Sequence, residues 1–168
     1  MGKKGARILT TGLTLAIMIL IFCFSSQPAE SSDSTSGILA VKIANFFQPG
    51  WQSLEFHRRQ AYYDRINYLV RKVAHFTEFA LLGFSLHLCL ESWFEKRFGL
   101  GLAAWTGATL YAALDEFHQI RVDGRSGQLT DVILDSCGVL TGVLLACLAI
   151  WMIRILVNRN NSVQQAER

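Results

Sequence analysis

The stretch Ala112-Ala113-Leu114-Asp115-Glu116-Phe117-His118-Gln119 lies between two long apolar segments and decides the fold. Residues 98–114 carry no charge over 17 positions, and residues 136–153 carry none over 18. Segments of this length predict transmembrane helices, because about 20 apolar residues cross a hydrocarbon core of ~30 Å. The charged residues between the two segments therefore belong at one membrane surface. A charge beside hydrocarbon costs roughly 3 kcal/mol or more, so such groups usually have a partner and a function.

The composition indicates a single membrane domain. The chain has 168 residues, of which 51% are apolar and 17% charged, whereas soluble domains carry about 25% charged residues. Its net charge of +3 is small and no basic stripe with interleaved aromatic residues is present, which excludes a nucleic-acid-binding protein. The four cysteines lie in apolar runs without C-x-x-C spacing, a pattern typical of packing residues rather than of disulfides or zinc sites.

Four spans are predicted, at about residues 8–24, 73–90, 98–114 and 132–157, within one domain of residues 1–168. The fold class is all-α, an integral membrane four-helix bundle. Three basic residues (Lys3, Lys4 and Arg7) precede the first span, whereas the next 30 residues after it contain one, Lys42. This bias predicts a cytoplasmic N-terminus. With four spans the C-terminus is cytoplasmic too, in a multi-pass membrane protein.

Residues 25–72 form the predicted outer loop. The serine-rich stretch up to Ser36 is expected to be irregular. Residues 38–47 are too short to span and predict an extracytoplasmic interfacial helix between spans one and two. Pro49-Gly50 ends that helix, and a further helix is expected from about Arg59. After the second span, a polar turn that includes Lys96 and Arg97 is predicted to be cytoplasmic, and the tail after residue 158 is predicted to be disordered.

Helical periodicity places polar residues on one face at the outer end of three spans. The second span presents Arg71, His75 and Glu78, the third Asp115, His118 and Gln119, and the fourth Asp131 and Asp135. Gly138 and Gly142 form a G-x-x-x-G that permits close approach of a neighbouring helix. A single polar residue of this kind often only caps a helix. Polar residues on three helices at the same membrane surface instead predict a functional site.

The predicted roles follow from side-chain chemistry. A histidine beside a carboxylate can act as a general base or nucleophile, and arginine binds phosphate or carboxylate in a bidentate manner. The catalytic candidates are His75, Glu78, Asp115, Glu116 and His118. The candidate substrate-binding residues are Arg71, Lys72, Gln119, Arg125, Asp131 and Asp135, with Arg121 as a further cation.

These motifs resemble those of the VanZ family of bacterial membrane proteins. Residues 71–79 resemble its R-K-x-x-H-F-x-E-[YF] signature, and residues 24–28 its segment after the first helix. Residues 115–119, Gly124-Arg125 and residues 131–138 resemble its third signature. The resemblance covers most of the chain and implies an integral membrane protein, in a family whose founding member is linked to teicoplanin resistance.

One loop departs from the family's Phe-Val-Pro-Gly-Arg pattern and reads Arg121-Val122-Asp123-Gly124-Arg125. The absent proline makes this turn less rigid, and Arg121 adds a charge. Specificity inferred from the family is therefore weakened, while the core site is not affected.

Four function classes stay open. The first is a protein that binds or modifies an anionic lipid-linked envelope molecule or a lipoglycopeptide at the outer leaflet. The second is metal-assisted chemistry on His and carboxylate ligands, although no H-E-x-x-H spacing is present. The third is a non-catalytic immunity or interaction protein whose polar cluster is a structural latch, and the fourth a channel or transporter. The sequence identifies no cofactor; the one certain partner is the lipid bilayer.

The first class makes a geometric prediction. The side chains of His75, Glu78, Asp115 or Glu116, His118, Arg125 and Asp135 should converge within about 10 Å, since an unpaired carboxylate below the surface is costly. Arg125 should turn inward, and residues 38–51 should roof or flank the cluster.

Overall fold

The computed structural model describes residues 2–95 and 98–166 of the chain. In this part five α-helices are present: α1 Lys3–Ser25, α2 Ala29–Phe47, α3 Phe56–Trp93, α4 Leu100–Gln119 and α5 Leu129–Ala166, with a 3-10 turn at Trp51–Ser53 between α2 and α3. The predicted all-α fold class is confirmed for the described residues. Lys96, Arg97 and Arg168, which the topology prediction used, lie outside them.

Three of the described helices are long and apolar enough to cross a membrane, namely Lys3–Ser25, Phe56–Trp93 and Leu129–Ser162. They contain the first, second and fourth predicted spans. The predicted third span lies in α4, a helix of 20 residues that ends in the polar stretch Asp115 to Gln119.

The longest helices, α3 and α5, run parallel and in close contact, because three glycines let their backbones meet. A Cβ on Gly142 would lie 1.8 Å from the Ala80 carbonyl oxygen, and one on Gly138 would lie 2.4 Å from that of Phe76. From the other side, a Cβ on Gly83 would lie 2.4 Å from the Val139 carbonyl oxygen. The G-x-x-x-G pattern thus acts as a close-packing surface.

The core lies where α1, α3, α4 and α5 meet. Small residues of α4 (Ala104, Ala108 and Ala112) are buried against larger neighbours, among them Ile21, Phe79 and Leu82. Small side chains on one helix thus face large ones on its neighbours, as in close-packed protein interiors. The opposite surfaces of the long helices expose many large apolar residues, as expected of surfaces that face lipid.

Helix α1 is tied to its neighbours at both ends. At its start, Arg7 Nε donates to the Ser92 carbonyl at 3.0 Å, and the guanidinium stacks over the Trp93 ring at 5.0 Å. At its end, Ser25 and Ser26 contact the end of α4. Because α1 and α3 are antiparallel, the end of α1 reaches the polar half of α3.

Two segments differ from the predictions. The serine-rich stretch from residue 29 to Ser36 is helical, because Pro28 begins α2 and the serine hydroxyls bond to carbonyls of the preceding turn, as Ser36 Oγ does with Ser32 at 3.0 Å. The prediction of a disordered tail after residue 158 is also wrong for residues 158–166, which continue α5.

Candidate functional site

A buried hydrogen-bond network connects the ends of α1 and α4. Ser25 Oγ donates to Asp115 Oδ2 at 2.7 Å, and Gln119 Nε2 donates to the same oxygen at 3.0 Å. The three side chains are 0–6% exposed. Asp115 Oδ1 has no hydrogen-bond partner among the described residues. The Asp115 carboxyl therefore fixes the relative position of the two helices, and one of its oxygens is left over.

Arg125 turns inward from the loop between α4 and α5. Its guanidinium donates to the Gln27 carbonyl at 3.1 Å, to Gln119 Oε1 at 3.3 Å and to the Phe24 carbonyl at 3.3 Å. Burial lowers the pKa of Arg125 from its ordinary value, but a guanidinium stays protonated. A positive Gly124 φ of 73° closes the loop beneath it. Arg125 thus places a fixed positive charge beside the end of α1.

The first half of α2 is fastened to α3 by polar side chains. Asp33 Oδ1 accepts from Arg71 NH1 at 2.8 Å, and Ser36 Oγ donates to Asn67 Oδ1 at 2.6 Å. The Arg71 and Asp33 side chains are 34% and 47% exposed, so this ion pair contributes little to stability. It does hold α2 over the polar half of α3.

Lys72 faces the start of α5. It forms an ion pair with Asp131 and lies over the Tyr68 ring at 5.0 Å. It also lines a small cavity with His75, Glu116, Asp131, Leu134 and Asp135. Asp135 is only 2% exposed, and its Oδ1 has no hydrogen-bond partner among the described residues. Among the described residues, Lys72 is therefore the one lysine or arginine that lines this carboxylate-rich cavity.

Two larger cavities adjoin each other at the same end of the bundle, each of about 250 Å³. The first, called the apolar cavity, lies between α1, α2 and α3 and is lined by Phe24, Gln27, Ser32, Ser36, Leu39, Val70, Arg71, Ala74, His75, Glu78 and Arg125. The second, called the polar cavity, is lined by Tyr68, Arg71, Lys72, His75, Gln119, Gly124, Arg125, Ser126, Gln128 and Asp131.

Three side chains line both cavities, namely Arg71, His75 and Arg125. His75 Nδ1 lies 4.0 Å from Glu78 Oε2. Asp115, Arg125, Lys72 and Arg71 are close enough to His75 to act on it electrostatically. The boundary between the two cavities is thus a point where an imidazole, a carboxyl group and two guanidinium groups meet.

Three further candidates make contacts outside the two larger cavities. His118 Nε2 lies 3.1 Å from Ser26 Oγ, and its ring packs on Phe22 with 4.9 Å between centroids; it does not line the cavities described above. Glu116 is buried, and its Oε1 accepts from the Gln128 backbone N–H at 2.7 Å. Arg121 stacks on Phe117 at 4.1 Å.

The three cavities, each of them lined by His75, group most of the predicted site residues. The structure brings together Arg71, His75, Glu78 and Arg125 at the two larger cavities, and Lys72, Glu116, Asp131 and Asp135 at the small cavity. Asp115 and Gln119 form the network that supports Arg125. His118 lies against α1 instead.

Several residues around the site were not among the predicted site residues. Asp33 and Ser36 bond to α3 and were missed because residues 29–36 were interpreted as a loop; Asn67 is their partner on α3. The signal was present, since Asp33 and Ser36 are three residues apart and share a helical face. Ser25 was also missed, although it ends the first apolar run directly before a proline-containing turn.

Metal ligands are not grouped in the described part of the chain, where no set of three or more His, Cys, Asp or Glu side chains is placed to hold a metal ion.

The motifs at these cavities agree with a match to known proteins. A model of the VanZ/LLP1 family matches residues 11–153, which include α1 from its third turn, the whole of α2 to α4, and α5 up to Ile153. The chain belongs to the VanZ/LLP1 family. No curated protein and no solved structure matches it. As a VanZ/LLP1 protein with three long apolar helices, it is placed in a membrane.

Lys72 offers a direct test of the VanZ/LLP1 site's electrostatics. Replacing Lys72 with methionine should destabilise the protein by about 2 kcal/mol, because Asp131 and the buried Glu116 and Asp135 lose the cation beside them. Asp131→Asn should cost less, about 1 kcal/mol or below, since it leaves Lys72 with two carboxyl groups nearby. Thermal unfolding of the two single variants and the double variant in nanodiscs measures the coupling. Equal losses for both single variants would contradict this assignment.

Proposed function

We propose that this protein binds or modifies an anionic, lipid-linked envelope molecule or a lipoglycopeptide at the outer membrane surface, and so contributes to teicoplanin-type resistance. The observation that carries the proposal is the polar cavity, where Arg71, Lys72, Arg125 and His75 line one space. Converging guanidinium groups suit phosphate or carboxylate, because their paired N–H groups match two oxygens. The membership of the VanZ/LLP1 family supports the link to glycopeptide antibiotics.

The proposed topology has four spans, with α4 as the third and both termini in the cytoplasm. It is supported by the positive charges before α1. It is also supported by the acidic and basic residues that line the two larger cavities, which lie at the opposite end of α1. Helix α2 would then lie at the outer surface, where exposed Phe46 and Phe47 suit the headgroup region.

In a modifying reaction, His75 is the proposed general base. A neutral imidazole at the boundary between the cavities can accept a proton from a nucleophile in the polar cavity. Glu78, 4.0 Å away, would stabilise the imidazolium that forms, as a carboxylate partner does in other histidine sites. Arg71 and Arg125 would hold the anionic group and offset charge that develops on its oxygens.

The test is a comparison of His75→Ala and Glu78→Gln with wild type in a teicoplanin-susceptible bacterium. Wild type should raise the inhibitory concentration of teicoplanin, and both variants should lose that effect while expression and melting temperature stay normal. Both side chains are about a quarter exposed, so their loss leaves no large cavity. His57→Ala is the matched control, because His57 is exposed at the start of α3 and should keep full resistance.

Purified protein in nanodiscs extends this test to the ligand. Polyprenyl phosphate, a lipid-II-like molecule and teicoplanin form the panel, and saturable binding or turnover of at least one of them is expected. If none of the three binds or reacts, or if His57→Ala loses resistance as fully as His75→Ala, the proposal fails.

A second candidate is a non-catalytic immunity or interaction protein whose polar residues are a structural latch. It is favoured by the Ser25–Asp115–Gln119 network, which joins two helices and supports Arg125. A latch predicts that His75→Ala and Glu78→Gln lose folded protein. A binding or catalytic site predicts that they fold normally. Both candidates predict that Asp115→Leu fails to fold, because Asp115 joins the two helices.

A further inference from the structure

We propose that the apolar cavity receives one hydrocarbon chain of the ligand while the ligand's phosphate lies in the polar cavity. This inference rests on the proposed function and assigns the two halves of an amphipathic molecule to two adjoining spaces. The ligand class is a lipid phosphate whose chain is at least partly accommodated between α1, α2 and α3.

The linings of the two cavities differ in the way this assignment requires. The apolar cavity contains Phe24, Leu39, Val70 and Ala74, which offer hydrocarbon contact from three helices. The polar cavity instead contains Lys72, Gln128, Ser126 and Tyr68, which offer hydrogen-bond donors. A molecule with one apolar and one anionic part matches both linings only when it lies across their boundary.

The boundary itself is positively charged. Arg71 and Arg125 line both cavities. A phosphate held by these two residues is therefore close enough to the apolar cavity for its attached hydrocarbon chain to enter it. Arg125 uses three of its N–H groups on Gln27, Gln119 and Phe24, which fixes its position before any ligand arrives. An anion at this point therefore meets a preorganised cation, which reduces the entropy cost of binding.

The size of the apolar cavity limits its occupant to one chain. Pockets that hold drug-sized molecules are about 300–1,000 Å³, and this cavity is about 250 Å³. A chain also has a route into it, because the lining residue Leu39 is 50% exposed and the Asp33–Arg71 pair that holds this part of α2 is itself exposed.

The experiment measures how affinity depends on chain length. The full chain in zwitterionic nanodiscs is titrated with inorganic, ethyl, butyl and hexyl phosphate by ligand-observed NMR, and the signal of empty nanodiscs is subtracted. Each methylene that moves from water into the cavity should strengthen binding roughly fourfold. Hexyl phosphate should therefore bind at least about tenfold more tightly than ethyl phosphate.

Two variants close the apolar cavity. Ala74→Trp fills it from α3, and Leu39→Glu puts a carboxylate in it from an exposed position of α2, so the second variant keeps the test available if the first does not fold. Both should remove the preference for hexyl phosphate over ethyl phosphate. The matched controls are Val73→Trp and Ile38→Glu, since both residues are exposed neighbours that do not line this cavity. They should keep the preference.

The outcomes separate this inference from the proposed function. A chain-length preference that persists in Ala74→Trp and Leu39→Glu overturns the chain subsite. Equal affinity of wild type for inorganic, ethyl and hexyl phosphate also overturns it, while the anion site and the proposed function stand. Absence of binding by all four phosphates overturns the assignment of a lipid phosphate to these cavities, while the proposed function is decided by its own panel of ligands.

Discussion

Replacing Gly142 with leucine is expected to prevent the protein from folding, and Gly142→Ala to destabilise it by about 3 kcal/mol or more. The added Cβ would lie 1.8 Å from the Ala80 carbonyl oxygen and 2.8 Å from the Phe84 nitrogen. Both are backbone atoms, which cannot rotate away as a side chain can, so α3 and α5 must separate. Gly138→Ala, with a 2.4 Å approach to the Phe76 carbonyl oxygen, should cost somewhat less.

The control for this effect is Gly12→Ala in α1, where a Cβ would have no atom within 4 Å. Alanine favours a helix over glycine by up to about 1 kcal/mol, so this variant should be neutral or slightly stabilised. Thermal unfolding in nanodiscs and protease resistance measure all three alanine variants. If Gly142→Ala and Gly12→Ala unfold within about 0.5 kcal/mol of each other, the close α3–α5 contact is wrong.

Arg125→Ala is expected to destabilise the protein by about 2–4 kcal/mol and to loosen the end of α1. The substitution removes charged hydrogen bonds to the carbonyls of Phe24 in α1 and of Gln27 just after it, and to Gln119. Such bonds contribute roughly 1.5–3 kcal/mol each when a charge is involved, without adding fully. Arg125→Lys should recover little, because one ammonium group cannot reach three acceptors at fixed angles.

Arg121→Ala is the matched control, because Arg121 is exposed. Among the described residues, its side chain contacts Phe117 at the end of α4. It should change stability by less than about 1 kcal/mol. Hydrogen exchange at residues 24–29 should accelerate in Arg125→Ala and stay unchanged in Arg121→Ala. Unchanged exchange in both would show that Arg125 does not hold the end of α1.

Much of the helical architecture is predictable from sequence, because uncharged segments such as residues 136–153 have few alternatives in a membrane. The start of α2 is harder to predict. Ser32 and Ser36 are typical of loops when they stand alone, yet in the fold the Ser36 hydroxyl bonds to the Ser32 carbonyl within the helix or to Asn67 on α3. The helical conformation of this stretch depends on a partner 31 residues away, which local patterns do not contain.

The candidate site shows where periodicity is informative and where it is not. Periodicity put Asp115, His118 and Gln119 on one face of α4, but it does not say which neighbouring helix that face meets. In the fold Asp115 and His118 meet the two serines that end α1. Likewise, Arg125 was expected to turn inward toward Asp135, and it does turn inward, but its carbonyl partners are Phe24 at the end of α1 and Gln27 in the turn after it. Lys72 lies by Asp135 instead.

The double attachment of α1 makes its length as important as its composition. Arg7 and Ser25 are fixed to different helices at opposite ends, and an added residue would rotate everything beyond it by about 100° and shift it by about 1.5 Å. Ser25, Ser26 and the carbonyls of Phe24 and Gln27 would all leave their partners at once. Lipid-facing positions of α1 are therefore free to drift in sequence, whereas insertions and deletions between the two attachments are not tolerated.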